Sequence, residues 1–199
     1  MIEVEIKVGI SDPTLMRKKF EEYNGIYKIS LDHEDTYFNM PKGLRDFKQT
    51  DEALRLRKST EYFKNNKKKA QKTNYFITYK GKKIDKLTKT REEIEIEITE
   101  IEDMKKLLKI LGFREIFTVL KKRELYDFLF KNTKLEALID YIPILEQYFV
   151  EVEIIAESVD DVERNKGLLF DFLNQFGIKK QESITASYLE LISNKMKEI

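Results

Sequence analysis

Several stretches of the chain alternate apolar and polar residues with a period of two, the pattern of a strand with one buried face. Ile2, Val4, Ile6 and Val8 alternate with Glu3, Glu5 and Lys7, and Leu54 and Leu56 with Arg55 and Arg57. Ile94, Ile96 and Ile98 alternate with Arg91, Glu93, Glu95 and Glu97. The segments 73–80, 117–125, 135–142 and 148–155 read the same way and carry Lys80, Lys121 with Arg123, Asp140, and Glu151 with Glu153. A longer strand is expected over 26–38, with His33 inside it as a structural residue. The lysine-rich stretch 64–72, with its run Lys67 to Lys69, reads as an exposed loop or hairpin tip between two of these strands.

Elsewhere the apolar spacing is helical. Ser11 is the expected N-cap ahead of Pro13, followed by Leu15, Met16, Phe20 and Tyr23. Met104, Leu107, Leu108 and Leu111 predict a helix over 103–111 that Gly112 ends, and Val159 to Phe176 predict another that Gly177 ends. Ile184, Tyr188, Leu191 and Ile192 predict a last helix. No repeat or interdomain linker interrupts this series, so 1–199 reads as a single α+β domain.

Each alternating strand, taken alone, reads as a half-buried sheet with its charges in water. The helices alter that reading. Each carries an apolar stripe that must be buried, and the apolar strand faces are its natural partners. If helices cover those faces from outside, the charged faces turn inward, and about eight strands can close on themselves around a small ligand. The expected architecture is therefore a closed eight-stranded antiparallel β-barrel with helices packed on the outside. Its lumen would hold Glu3, Glu5, Lys7, Arg55, Arg57, Lys80, Lys121, Arg123, Asp140, Glu151 and Glu153. Unpartnered, such charges would cost several kcal/mol each. The lumen must therefore be wet, internally paired and shaped for a charged ligand. Acidic residues dominate the strands of Glu3 and Glu151, and basic residues those of Arg55 and Lys121, which suits metal on one wall and polyphosphate on the other.

Composition narrows the chemistry. Lys and Arg number 37 against 36 Asp and Glu, so the net charge of +1 lacks the basic excess of a nucleic-acid binder. With no cysteine and a single histidine, thiolate and poly-His metal sites are excluded. Any metal must sit on carboxylates, which favours Mg²⁺ or Mn²⁺. Glycine-rich phosphate loops and a Ser-His-Asp arrangement are missing. Neither a membrane-length apolar run nor an apolar N-terminal signal is present, so the expected setting is soluble and cytoplasmic.

The order of the charged strands adds a resemblance. The segments EVEIK at 3–7, DTYF at 35–38, LRLRK at 54–58, TYKG around Lys80 and REEIEIEI from Arg91 occur in sequence with KKR at 121–123, Asp140 and FVEVEI at 149–154. This series resembles the CYTH superfamily of triphosphate tunnel metalloenzymes, which includes class IV adenylyl cyclases and thiamine and inorganic triphosphatases. The terminal SYLELI at 187–192 is most similar to the cyclase branch. One departure is Glu146, where the family often has glycine before its last E-x-E strand, and a local change of turn is expected there.

The resemblance implies an eight-stranded tunnel with metal on Glu3, Glu5, Glu151 and Glu153, assisted by Asp140. It implies that Lys7, Arg55, Arg57, Lys80, Lys121 and Arg123 hold phosphate oxygens, joined by Arg91 on a matching strand where the roles of Glu93, Glu95 and Glu97 stay open. Glu5, Lys7 and Arg57 are the expected catalytic centre. The leading expectation is metal-dependent hydrolysis of an inorganic or organic triphosphate. Two alternatives remain: class IV adenylyl cyclase chemistry, giving cAMP and pyrophosphate from ATP, and a non-catalytic polyphosphate-binding module. The partner is a triphosphate or nucleoside triphosphate, with no nucleic acid and no membrane, and the resemblance also implies a homodimer.

Overall fold

The computed structural model describes residues 2–63 and 71–197, so most of the expected 64–72 loop, with the Lys67 to Lys69 run, lies outside the described residues. The strands are β1 (Ile2–Ile10), β2 (Ile26–Asn39), β3 (Ala53–Tyr62), β4 (Thr73–Lys80), β5 (Arg91–Ile98), β6 (Arg114–Phe130), β7 (Thr133–Ile142) and β8 (Gln147–Ala156). The helices are α1 (Pro13–Glu22), α2 (Phe47–Thr50), α3 (Ile101–Ile110), α4 (Asp161–Gln175) and α5 (Tyr188–Lys197). The strands close into one antiparallel barrel in the order β1-β5-β4-β3-β2-β6-β7-β8.

Helix α1 starts at Pro13, so its cap is Asp12 and not Ser11; the Asp12 carboxylate accepts from the Leu15 amide at 2.8 Å. The expected glycines do end helices, Gly112 at φ 88° and Gly177 at φ 81°, in the left-handed region that L side chains resist. The last helix begins at Tyr188, so Ile184 precedes it. The four-residue α2 is too short to show helical periodicity and was not expected.

Side-chain alternation sorts the barrel as expected. Val4, Ile6 and Val8 are buried outside the barrel wall, where β1 and β6 to β8 meet α1 and α4. Phe20 of α1 stacks edge-on against Tyr126 and Phe128 at 5.2 and 5.3 Å, and Phe128 meets Phe172 of α4 at 4.8 Å. A second cluster joins Leu54 and Leu56 to Phe38, Phe47, Ile101 and Leu108.

Two departures modify the helical jacket. The outward Ile94 and Ile96 of β5 remain 52% and 57% exposed, because α3 turns from the end of β5 towards β3 and β6 and covers only the Ile98 end. Helix α5 lies across one end of the barrel. Its Tyr188 and Ile192 pack on Val119, Ile142 and Phe149, residues that share the inward parity of Lys121, Asp140 and Glu151.

Strand β5 pairs with β1 only at Glu92–Ile2 and Arg91–Glu3. Beyond that point, the Lys89 amide donates to the Glu5 carbonyl at 2.9 Å and the Ile184 amide to the Lys7 carbonyl at 2.7 Å. These two bonds continue the wall between β1 and β5.

The β7–β8 connection ends at Glu146 with φ 55° and ψ 34°. The glutamate therefore adopts the left-handed backbone that glycine adopts freely. An L residue there costs about 1–2 kcal/mol, offset in part by the extra unfolded-state entropy of glycine. Glu146→Gly is expected to raise stability by about 0.5 kcal/mol in urea denaturation. A loss of stability would contradict the strain argument.

Candidate functional site

The cross-strand registers explain why the lumen charges meet. Antiparallel pairing sets Glu5 opposite Glu153 and Lys7 opposite Glu151, Asp35 opposite Arg57, Lys80 opposite Glu93, and Arg123 opposite Asp140. Because partners across strands share a face, each pairing of like parity delivers both side chains to the interior. The lumen forms a cavity of about 890 Å³ whose wall includes Glu3, Glu5, Arg55, Arg57, Lys80, Arg91, Lys121, Arg123, Glu151 and Glu153. Its mouth is lined by Tyr37, Phe117, Ile192 and Met196.

On the basic side the arginines are held by acids. The Arg57 guanidinium donates to both Asp35 oxygens, at 2.7 and 2.8 Å, and Arg55 lies 3.6 Å from the same carboxylate. Burial alone would raise Asp35, but Arg57 and Arg55 hold it well below the usual carboxylate range. Arg55 also reaches Thr78 at 3.1 Å and Glu95 at 3.4 Å, while its buried Nε has no hydrogen-bond partner. A buried donor left unmatched in a cationic wall suits an anionic ligand. Arg91 donates to the Gly81 carbonyl at 3.1 Å, and Lys80 is hydrogen-bonded to Glu93.

Arg123 makes a bidentate pair with Asp140, at 2.7 Å to each oxygen, and also donates to Glu151. Lys121 sits 3.4 Å from Asp140, and burial together with Arg123 lowers its pKa to about 8. Lys7 is fully buried: its ammonium donates to the Ala186 carbonyl and lies 4.3 Å from the centre of the Tyr188 ring. Burial and the neighbouring Lys89 lower its pKa to about 7. The Tyr188 hydroxyl donates to Asp140 at 2.9 Å, which draws α5 into the site.

On the acidic side, Glu3, Glu5 and Glu153 offer carboxylate oxygens that all lie within 4.8 Å of one another. Burial raises the pKa of each, and neighbouring carboxylates add to it: Glu93 at Glu3, Glu151 at Glu5 and Glu3 at Glu153. Three converging hard oxygen donors in a repulsive cluster are the donor set that a divalent cation such as Mg²⁺ or Mn²⁺ satisfies. Of the other two carboxylates expected to hold metal, Glu151 lies against Glu5 and Asp140 does not join the cluster, and both are engaged by Arg123 in this structure. Glu151 is also drawn to Lys89 at 2.9 Å, and these cations hold its pKa low against the effect of burial.

Of the lumen residues singled out from the alternation, all but Lys7 and Asp140 line this cavity; those two are fully buried behind it, Lys7 on the Ala186 carbonyl and Asp140 on Arg123 and Tyr188, while Glu95 also lines it and Glu97 is exposed. His33 is buried on the inward face of β2, with no partner for its Nδ1. Three residues were missed. Asp35 follows His33 at the inward spacing of β2 and could have been read from it. Lys89 continues the inward parity of Arg91 and Glu93 by one step, but it falls before the strand. Tyr188 was read as helix packing, and its hydroxyl gave no sequence signal.

The closed barrel sets a carboxylate cluster against a basic wall inside one tunnel, an arrangement suited to an anionic ligand. The CYTH domain family model matches residues 1–188, and the chain belongs to that family. It is 40% identical over 195 residues to a Methanocaldococcus jannaschii protein provisionally named adenylate cyclase MJ0240, covering 96% of this chain and 98% of that one. The solved PH1819 protein of Pyrococcus horikoshii superposes with a TM-score of 0.82 at 33% identity, over 97% and 99% of the two chains. The Hippeastrum protein HpAC1, described as having a dominant triphosphatase activity, shares the fold at a TM-score of 0.60 and 18% identity over 97% of this chain and 96% of its own.

Proposed function

We propose that this chain is a metal-dependent enzyme that draws a triphosphate into the barrel and hydrolyses it. The observation that carries the reading is the opposition, within one cavity, of the Glu3–Glu5–Glu153 cluster and the cationic wall of Arg55, Arg57, Lys80, Lys121 and Arg123. The wall neutralises phosphate oxygens, and Asp35 keeps the Arg57 fork aimed before substrate arrives, so little reorganisation is needed during reaction. Glu3, Glu5 and Glu153 would hold Mg²⁺ or Mn²⁺, which supplies charge stabilisation at the phosphoryl group when bound. A carboxylate of the cluster orients the attacking water. The water oxygen bonds to the terminal phosphorus, the bridging P–O bond breaks, and the diphosphate leaves.

A second reading, adenylyl cyclase, is favoured by the name of the 40%-identical relative and by the size of the cavity. A space of about 890 Å³ exceeds the need of an inorganic triphosphate and falls in the range of sites that hold an organic ligand. The mouth residues Tyr37, Phe117 and Met196 offer surfaces for a base.

The test is a panel of inorganic triphosphate, ATP and thiamine triphosphate with Mg²⁺ and Mn²⁺, with products identified. Phosphate release supports hydrolysis. Cyclic AMP with pyrophosphate replaces it with cyclase chemistry. Tight binding of a triphosphate with no turnover leaves a binding module.

The lysines give a further expectation. Lys7 and Lys121, with pKa values of about 7 and 8, are partly deprotonated at pH 8 in the free protein. A bound polyanion favours the ammonium form, so binding at pH 8 takes up protons and weakens as pH rises through this range. Calorimetry in two buffers of different ionisation enthalpy should record an uptake of about one proton per triphosphate at pH 8. No uptake would exclude these lysines as phosphate ligands.

A further inference from the structure

We propose that the Lys89 ammonium is a resident counter-cation of the acidic cluster, one that a divalent metal must displace. The inference rests on the reading of Glu3, Glu5 and Glu153 as a metal site. Lys89 donates to the Glu5 carboxylate and, at 2.9 Å, to Glu151. Its side chain is 12% exposed, beside carboxylate side chains that are 6% and 3% exposed. It therefore bridges one member of the cluster to the adjacent Glu151, in the space where a cation is most strongly attracted.

The surrounding backbone is fixed. The Lys89 amide donates to the Glu5 carbonyl at 2.9 Å, and the flanking Thr88 and Thr90 are fully buried, with their hydroxyls 2.6 Å apart. Asp85 accepts from the Thr88 amide at 2.9 Å and from Lys166 of α4 at 2.7 Å. Of the two lysines beside the cluster, Lys80 stands 3.7 Å from Glu3 and is hydrogen-bonded to Glu93, so the side chain that a metal must move off a cluster carboxylate is the four-carbon Lys89 stem. An ammonium and a divalent cation on the same Glu5 carboxylate repel each other across a few ångströms of partly dry lumen. Lys89 lines the cavity next to Arg91, so its displaced end has open space to move into.

The other lumen cations are paired differently. Arg57 rests on Asp35, Arg123 on Asp140 and Glu151, and Lys80 on Glu93 with Glu3 at 3.7 Å. None of these is hydrogen-bonded to Glu5. Lys89 is accordingly a positioning residue for the metal: it balances the cluster before loading and opposes loading itself.

Calorimetric titration of Mn²⁺ into wild type, Lys89→Met and Lys89→Arg tests this without recourse to activity. Lys89→Met should bind Mn²⁺ about tenfold tighter or more, and Lys89→Arg no tighter than wild type. In wild type, Mn²⁺ should raise acylation of the Lys89 amine by a lysine-selective reagent several-fold, read by mass spectrometry, so a poorly folded Met variant would not end the test. If wild type binds Mn²⁺, Lys89→Met binds it no tighter and labelling is unchanged, the Lys89 proposal falls and the metal site stands. If Mn²⁺ binds neither wild type nor Lys89→Met, the metal reading falls and this proposal falls with it.

Discussion

Glu5→Gln is expected to lower turnover of the triphosphate by about three orders of magnitude while the metal-free protein melts at or slightly above the wild-type temperature. The two effects separate because Glu5 is an unfavourable charge for the fold. Burial and the neighbouring Glu151 raise its pKa, so keeping it ionised at neutral pH costs stability. Glutamine keeps the shape and an acceptor for Lys89 and relieves the repulsion. What it removes is one of three converging carboxylates. Several kcal/mol of lost charge stabilisation at the transition state corresponds to roughly a thousandfold in rate. Initial rates with Mn²⁺ and a thermal melt without metal make the comparison. Turnover within a few-fold of wild type would remove Glu5 from the catalytic centre. A large fall in melting temperature would show its charge to be structural.

That separation between function and stability also explains what the sequence could disclose. Strand β5 was legible to the residue, because Glu93 to Ile98 alternates strictly and Arg91 continues the charged parity by one step. The inward direction of the charges followed from a count of apolar faces that needed covering, and Val4, Ile6 and Val8 beneath α1 and α4 bear this out. The same count failed at Ile94 and Ile96, because the path of α3 away from β5 is set by a short turn and by distant packing partners, not by the residues of β5. Helix α5 was legible as a helix but not as the cover of the barrel end. Its apolar stripe looks like those of the outer helices, yet it packs against lumen-facing Val119 and Phe149.

Within the site, residue type and parity gave the wall and the cluster, whereas pairing was hidden. Alternation cannot say that Asp35 serves two arginines or that Arg123 takes both Asp140 and Glu151, because those choices depend on register between strands far apart in sequence. Lys89 was hidden for a related reason. Its segment pairs with β1 through a single backbone bond, too short a contact to leave a strand pattern.

The largest stability effect is expected at Arg123. Its guanidinium satisfies a fully buried Asp140 and a 3%-exposed Glu151 at once. Arg123→Met fills a similar volume but leaves a surplus of negative charge in the wall, and breaking a buried pair in this way costs about 3–5 kcal/mol. Lys121 and Lys89 remain nearby, at 3.4 Å from Asp140 and 2.9 Å from Glu151, which places the expected loss at the lower end. The pH dependence identifies the cause. In wild type, burial acts to raise the Glu151 pKa, but Lys89, Arg123 and Lys121 hold it well below the usual carboxylate range. A carboxylate depressed in the folded state contributes stability that is present above its unfolded pKa and is lost as pH falls through the folded one. Removing Arg123 raises the folded value, so the variant gives up part of this stability at neutral pH, while at pH 4 wild type and variant converge as Glu151 protonates in the variant. Guanidinium denaturation at pH 7 and pH 4 should therefore show the smaller difference at pH 4. Equal losses at both values would mean that Arg123 acts through packing, and that the charge pairing of the lumen contributes little to holding the barrel together.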